Sequence, residues 1–431
     1  MDAQGKAFTL KEKILYFLVV AFFISLFLPD MPVVVNIIIG SMVFHSLFYP
    51  TFREKGRLLR QRREIAGMLL FFGLNIISGL LSTNLKEGLV MLVLRLPLLV
   101  FPLSIGLLVI REKVRDRILL AYCIVITLAA IVCMLYSVYR YQQSGDAGYL
   151  YDDSLSELVR RQSTYVALMV NLAIVSYVYL LFKEEAGGLF GGRSRWLAWL
   201  SVAFLVVFHF MLASRISIIT LYSSFVVFVA WYCIREKKFF KGITLVLALA
   251  IVAFALVQLF PKTLNRFREL NYTNYSYNSH AVESHYNMQL TAEQWNGANI
   301  RLAVWKCGWE LARQHWLMGV PLGDKRDKLI EVYKARQFDF GVATRRDMHN
   351  SYLDVLCNLG VIGLGIFLLG YLVFPLAASY RERDGWRAFI TVAFAGAMIT
   401  ESWLDTGLGC TLLGFFLCFA GSGGNEPSGS A

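Results

Sequence analysis

His349 stands in Met348-His349-Asn350-Ser351, where a long polar stretch gives way to an apolar run. An imidazole accepts a proton near neutral pH, so a histidine at such a junction is a candidate general base. Asn350 and Ser351 are good helix N-cap residues, which sets His349 at the positive end of a helix, where the imidazolium is disfavoured. The plainer reading is an interfacial histidine that only hydrogen-bonds the cap. Three cations are candidates to accompany it. Arg215 falls between two apolar runs with almost no loop, Arg301 shares a helical stripe with Trp305, Trp309 and Trp316, and Lys86 sits in a short loop. Cations gathered at one surface suit a diphosphate. The tryptophans also read as residues of a membrane interface. Arg95, deep in an apolar run, either buttresses the fold or meets a ligand, and Arg345 and Arg346 lead into His349. Carboxylate partners are few: Glu87, Asp354, Glu401 and Asp405.

The composition says which elements must hold these residues. Of 431 residues 57% are hydrophobic and only 17% charged, against roughly 25% charged in soluble domains. Apolar runs long enough to cross a bilayer recur from Ile14 to Ala420. An all-α integral membrane protein follows, with twelve spans at 14–28, 33–49, 65–81, 89–110, 118–139, 165–182, 197–213, 216–234, 242–260, 353–376, 388–404 and 408–420. The opening segment lacks a small-residue cleavage site, so it reads as a retained first helix.

The net charge of +12 lies in short links between apolar runs, which points to retained cytoplasmic loops and not to nucleic acid. With Lys6, Lys11 and Lys13 cytoplasmic, the compact basic links 50–64, 111–117, 183–196, 235–241 and 377–387 all fall on the same side, and both termini are cytoplasmic. The outer face then carries Lys86, the loop 140–164, Arg215 and the long segment 261–350. The expected organisation is spans one to nine in 1–260, an outward subdomain in 261–350, spans ten to twelve in 351–420, and a Gly/Ser-rich tail at 421–431. The Tyr-rich stretch 271–286 reads as a mobile loop.

The seven cysteines show no metal or disulfide spacing and read as small apolar packers. Asp152-Asp153 has no histidine nearby, so no metal site is expected. No Gly-rich phosphate loop is present, and no cofactor is expected.

The order of Arg301 with Trp305, a glycine-containing turn at 319–323, then His349-Asn350 with Leu353, Leu356, Gly360 and Gly363 resembles the signature region of the O-antigen ligase and polymerase superfamily. The layout of twelve spans with a large periplasmic loop between spans nine and ten is similar to the O-antigen ligases, a GT-C-like membrane glycosyltransferase arrangement. The turn, Gly319-Val320-Pro321-Leu322-Gly323, is less glycine-rich than is common in the family. The resemblance implies transfer of a glycan from undecaprenyl diphosphate to a sugar hydroxyl, at the periplasmic face of a bacterial inner membrane. In the ligases the acceptor is lipid A–core. It further implies that His349 is the base and that Arg215, Arg301 and Lys86 serve the diphosphate. An inverting transfer without metal or ATP is the expected chemistry.

Two other readings stay open. A polymerase or a protein O-oligosaccharyltransferase of the same superfamily shares the donor chemistry. A transporter of lipid-linked sugar also accounts for deep arginines, and broken helices in inverted repeats would favour it, though the sequence shows no such symmetry.

Overall fold

The computed structural model describes residues 8–183, 189–236, 239–279, 281, 283–284 and 294–423. Lys6, Lys237, Lys238, His280, His285 and the tail beyond Gly423 lie outside the described residues. Among those described the chain is helical, and its β-pairing is confined to the isolated bridges Ile110–Gly423 and Glu283–Trp295. Many helices expose large apolar side chains, Phe44, Val93, Leu135 and Val227 among them. That is the surface of helices whose solvent is lipid. This is a multi-pass membrane protein.

Each stretch expected to be an apolar helix is helical over most of its length. Among the described residues, six helices are both long and apolar enough to cross a bilayer, or seven if the pair Pro32–Phe48 and Phe52–Gln61, bent by 103°, is one span. Arg215–Val227, Gly385–Thr400 and Gly407–Gly421 are apolar but shorter. The expected run 388–404 stops being helical at Thr400, because residues 401–405 leave the helix and hydrogen-bond to the start of another.

The chain packs as two compact units. One takes in Met1–Phe22, Val33–Arg115 and Glu269–Ala431, the other Phe23–Pro32 and Asp116–Arg268. In the second unit the Gly192–Met211 helix turns into Arg215–Glu236 through Ala213 in the left-handed region, which makes Arg215 the first residue of its helix. Asp152 and Asp153 are occupied there as acceptors for the Ser163 hydroxyl (2.8 Å) and the Ser163 N–H (2.6 Å).

In the first unit the basic links meet at one end. Arg62 donates to the Gly106 and Leu108 carbonyls (2.6 and 2.8 Å), Arg387 pairs with Glu64 at 2.5 Å, Arg115 with Asp384 at 3.2 Å, and Arg111 with Glu12. Residues 81–84, 321–325, 349–351 and 401–406 gather at the other end.

The polar segment has an apolar core of its own. Trp295, Val304, Cys307, Leu311, Tyr333 and Phe338 are buried together, and Met348 and Cys357 close the cluster. Tyr275 and Tyr277, expected in a mobile loop, pack against this core, with ring centroids 6.0 Å from Trp295 and 5.3 Å from Phe338 respectively. The aromatic residues were there to be buried. The six described cysteines outside 233 are free and buried.

Candidate active site

The His349 ring is held by a carboxylate. Nδ1 lies 3.1 Å from Oε2 of Glu401, and the other oxygen of Glu401 accepts from Nη2 of Arg301 at 2.9 Å. An ionised carboxylate can only accept, so Nδ1 carries a proton toward Glu401, and in the neutral ring Nε2 is then the nitrogen with the lone pair. The His349 side chain is 29% exposed and Glu401 only 10%. Burial pushes the Glu401 carboxyl up, but the His349 hydrogen bond and the Arg301 charge outweigh it, and the net displacement is downward.

Local backbone fixes this geometry. His349 has φ 46°, a left-handed conformation that costs a non-glycine residue about 1–3 kcal/mol. It is held there on both sides. The His349 N–H donates to the Ser402 hydroxyl (3.0 Å), the Ser351 hydroxyl donates to the Glu401 carbonyl (2.7 Å), and the Trp403 N–H donates back to Ser351 (3.0 Å). Trp305 adds an indole N–H to the Met348 carbonyl at 2.9 Å. Asn350 is the N-cap of Ser351–Leu368, its side chain accepting from the Leu353 N–H at 3.0 Å.

Beneath lies a buried charge set. Arg95, fully buried, donates to Asp405 (2.8 Å), Asp354 (3.2 Å), Asn75 (2.5 Å) and the Leu404 carbonyl (3.0 Å). Lys325 reaches the same two carboxylates, pairing with Asp354 and lying 2.8 Å from Asp405. Two cations and two anions cancel, and each carboxylate is shared, which is the condition for burying such charges at tolerable cost. Arg95 is thus taken up by Asp354, Asp405, Asn75 and the Leu404 carbonyl. Burial pulls the Lys325 ammonium down, but Asp354 and Asp405 outweigh it and raise it. At Asp405 the same two cations overcome the upward push of burial and hold the carboxyl down.

The third element is a broken helix. Inside Ser351–Leu368, Gly360 has φ 62° and ψ −166°, which interrupts the backbone hydrogen bonds. The turn after Asn299–Gln314 fills the gap: the Val320 N–H donates to the Cys357 carbonyl (2.7 Å) and the Val361 N–H to the Trp316 carbonyl (2.9 Å). Gly319, at φ 73°, passes so close to Asn358 and Leu359 that a side chain has no room. Irregular backbone at membrane depth survives only where protein satisfies it. Here the chain's own turn does so, unlike the helix breaks of transporters, which coordinate cargo. The turn is also pinned to Ser78 and Ser82 through the Leu322 and Gly323 N–H groups (3.0 and 2.8 Å). Asp324 accepts from the Thr83 and Asn84 N–H groups (2.8 Å each).

The structure thus brings His349, Arg301, Trp305, Asn350 and Arg95 into one region. Lys86 is exposed on the first turn of Leu85–Arg95, making no ion pair among the described residues. Arg345 is exposed in the left-handed region, and Arg346 pairs with Glu283 and lies over Phe340. Arg215 heads its helix in the second unit. Arg301 is committed to Glu401, to Gly297 O (2.8 Å) and to Thr400 O (3.2 Å). That leaves two of its five N–H donors for a ligand. Lys325 was missed from sequence, since in a polar segment with many cations nothing marks one ammonium for burial.

Residues 200–368 match the family described as O-antigen ligase. Over that stretch, which is less than half of the chain, the protein is similar to the O-antigen ligases. No curated protein matches the chain. The matched segment contains Arg215, Arg301, Lys325, His349 and the break at Gly360. It stops short of Glu401 and Asp405 and begins after Arg95, so these three charge partners come from outside the matched segment.

Proposed function

We propose that the protein is an O-antigen ligase. It moves a glycan from undecaprenyl diphosphate to a sugar hydroxyl of lipid A–core at the periplasmic face of the bacterial inner membrane. The observation that carries this reading is the His349–Glu401–Arg301 arrangement in a chain similar to the O-antigen ligases. Glu401 fixes Nδ1–H, so Nε2 takes the proton of the acceptor hydroxyl as its oxygen attacks the anomeric carbon. The bond from that carbon to the diphosphate breaks with its electron pair, and the charge develops on the leaving phosphate. Cations stabilise that charge. Lys86 and the remaining donors of Arg301 are assigned that role, since a cation at the positive end of a helix dipole is relieved by an anion. For Arg215, at a helix start of its own unit, the same role rests on the family resemblance alone. One displacement inverts the anomeric carbon and forms no covalent enzyme intermediate. The activation resides in the donor, so neither ATP nor metal enters.

The test is transfer by the purified protein from a diphosphate-linked donor in the presence of EDTA, with the acceptor identified by mass spectrometry. Glycan on lipid A–core with the opposite anomeric configuration supports the ligase. Extension of the glycan itself would make it a polymerase, glycosylated protein an oligosaccharyltransferase, and donor movement without transfer a transporter. Loss in EDTA that Mn²⁺ restores would overturn the metal-free step.

A further inference from the structure

One face of the Asn299–Gln314 helix is left over by the site just described. A groove of about 590 Å³ runs along it, lined chiefly by Trp305, Lys306, Trp309, Glu310, Arg313 and Arg336. That volume lies within the roughly 300–1,000 Å³ of small-ligand sites. The Trp309 side chain is exposed, with the Arg313 guanidinium 5.6 Å from its ring centre, and Arg336 forks onto Glu310 at 2.8 and 2.9 Å. A sugar ring has an apolar face of C–H groups and a rim of hydroxyls. Flat indoles beside a carboxylate and guanidinium groups are complementary to both. Two indoles four residues apart stand about 6 Å from each other along a helix axis, a spacing suited to successive rings of a chain.

The groove also leads to the base. Trp305 lines it and donates to the carbonyl of Met348, the residue before His349, while Arg301 one turn earlier holds Glu401. Beyond the groove, Trp316, Leu317 and Met318 form an exposed patch of another kind, apolar throughout and suited to lipid. We propose that the groove is an oligosaccharide subsite in which Trp305 and Trp309 stack sugar rings of the glycan whose reacting end lies at His349. This rests on the glycan-transfer reading.

The test uses the full chain in nanodiscs and, as probe, oligosaccharides freed by mild acid from the surface polysaccharide of the source bacterium. Saturation-transfer NMR is expected to show contact with sugar protons in the wild type and in His349→Ala. Trp309→Ala is expected to weaken binding about tenfold, as loss of a central tryptophan commonly does, while Trp309→Phe keeps a stacking face and stays near wild type. No contact in the wild type, or equal contact in Trp309→Ala, overturns the subsite. Quenching of Trp309 by brominated lipid would place the groove in the bilayer and overturn it as well. Binding that is intact in a protein unable to transfer glycan keeps the subsite and sinks the transfer reading.

Discussion

His349 and Glu401, fifty-two residues apart, are joined through side chain and backbone together: the ring meets the carboxylate at 3.1 Å, and their neighbours Ser402 and Ser351 close the loop with hydroxyl bonds of 3.0 and 2.7 Å. The imidazole therefore cannot rotate without breaking the contact between the start of Ser351–Leu368 and the residues that follow Gly385–Thr400.

His349→Ala is expected to lower transfer by roughly 10²–10⁴-fold, the usual span for a general base, with donor binding kept. Transfer near the wild-type rate in that variant would remove the histidine from the chemistry.

Glu401→Gln offers an N–H to Nδ1 where an acceptor is needed. Transfer should fall by roughly 10–100-fold, as for other groups that orient a histidine, and the acid limb of the pH–rate profile should move. A drop in rate with an unchanged profile would mean that Glu401 only supports the fold.

Lys325→Met leaves the buried set of Arg95, Asp354 and Asp405 with an unpaired negative charge. Removing one partner of such a set costs about 3–5 kcal/mol, read as a lower melting temperature in detergent. The neutral pair Lys325→Met with Asp405→Asn should recover much of the loss. Additive losses would show that the four side chains do not act as a unit.

Gly319→Ala and Gly360→Ala place a side chain against backbone at positive φ and are expected to leave little folded protein. Gly365→Ala meets nothing within 4 Å. It should be neutral or stabilise by up to about 1 kcal/mol. Comparing the three by size-exclusion yield and melting temperature separates the seam from helix propensity.

Acid should loosen the site. The folded Glu401 value lies below the ordinary 4.5, so its stabilisation is fully present above that value and is lost as pH falls through the folded value. Glu401→Gln lacks this term. The difference in melting temperature between wild type and variant should shrink below pH 4.5, and a constant difference would contradict the assignment.

Much of this was legible from residue order. Apolar runs marked the helices, and the short list of carboxylates already held Glu401, Asp354 and Asp405, because acids are scarce in such runs. What the list lacked was pairing. Nothing in one dimension says that Arg301 and His349 share Glu401, or that Arg95 takes two acids more than 250 residues away. Gly360 read as a motif glycine, yet its torsion and the turn that fills the gap depend on residues forty positions earlier. Tyr275 and Tyr277 looked loop-like because their partners, Trp295 and Phe338, come later in the chain.

The seam at Gly360 has a consequence for synthesis. The Trp316 carbonyl and the Val320 N–H find their partners on Val361 and Cys357, in the Ser351–Leu368 helix, which is made only after Lys325–Ala335 and Asp339–Thr344. Chains are made from the N-terminus and fold in that order where they can. This segment cannot. Its turn stays unfinished until the Ser351–Leu368 helix has been made, so assembly of the His349 junction is timed by that helix.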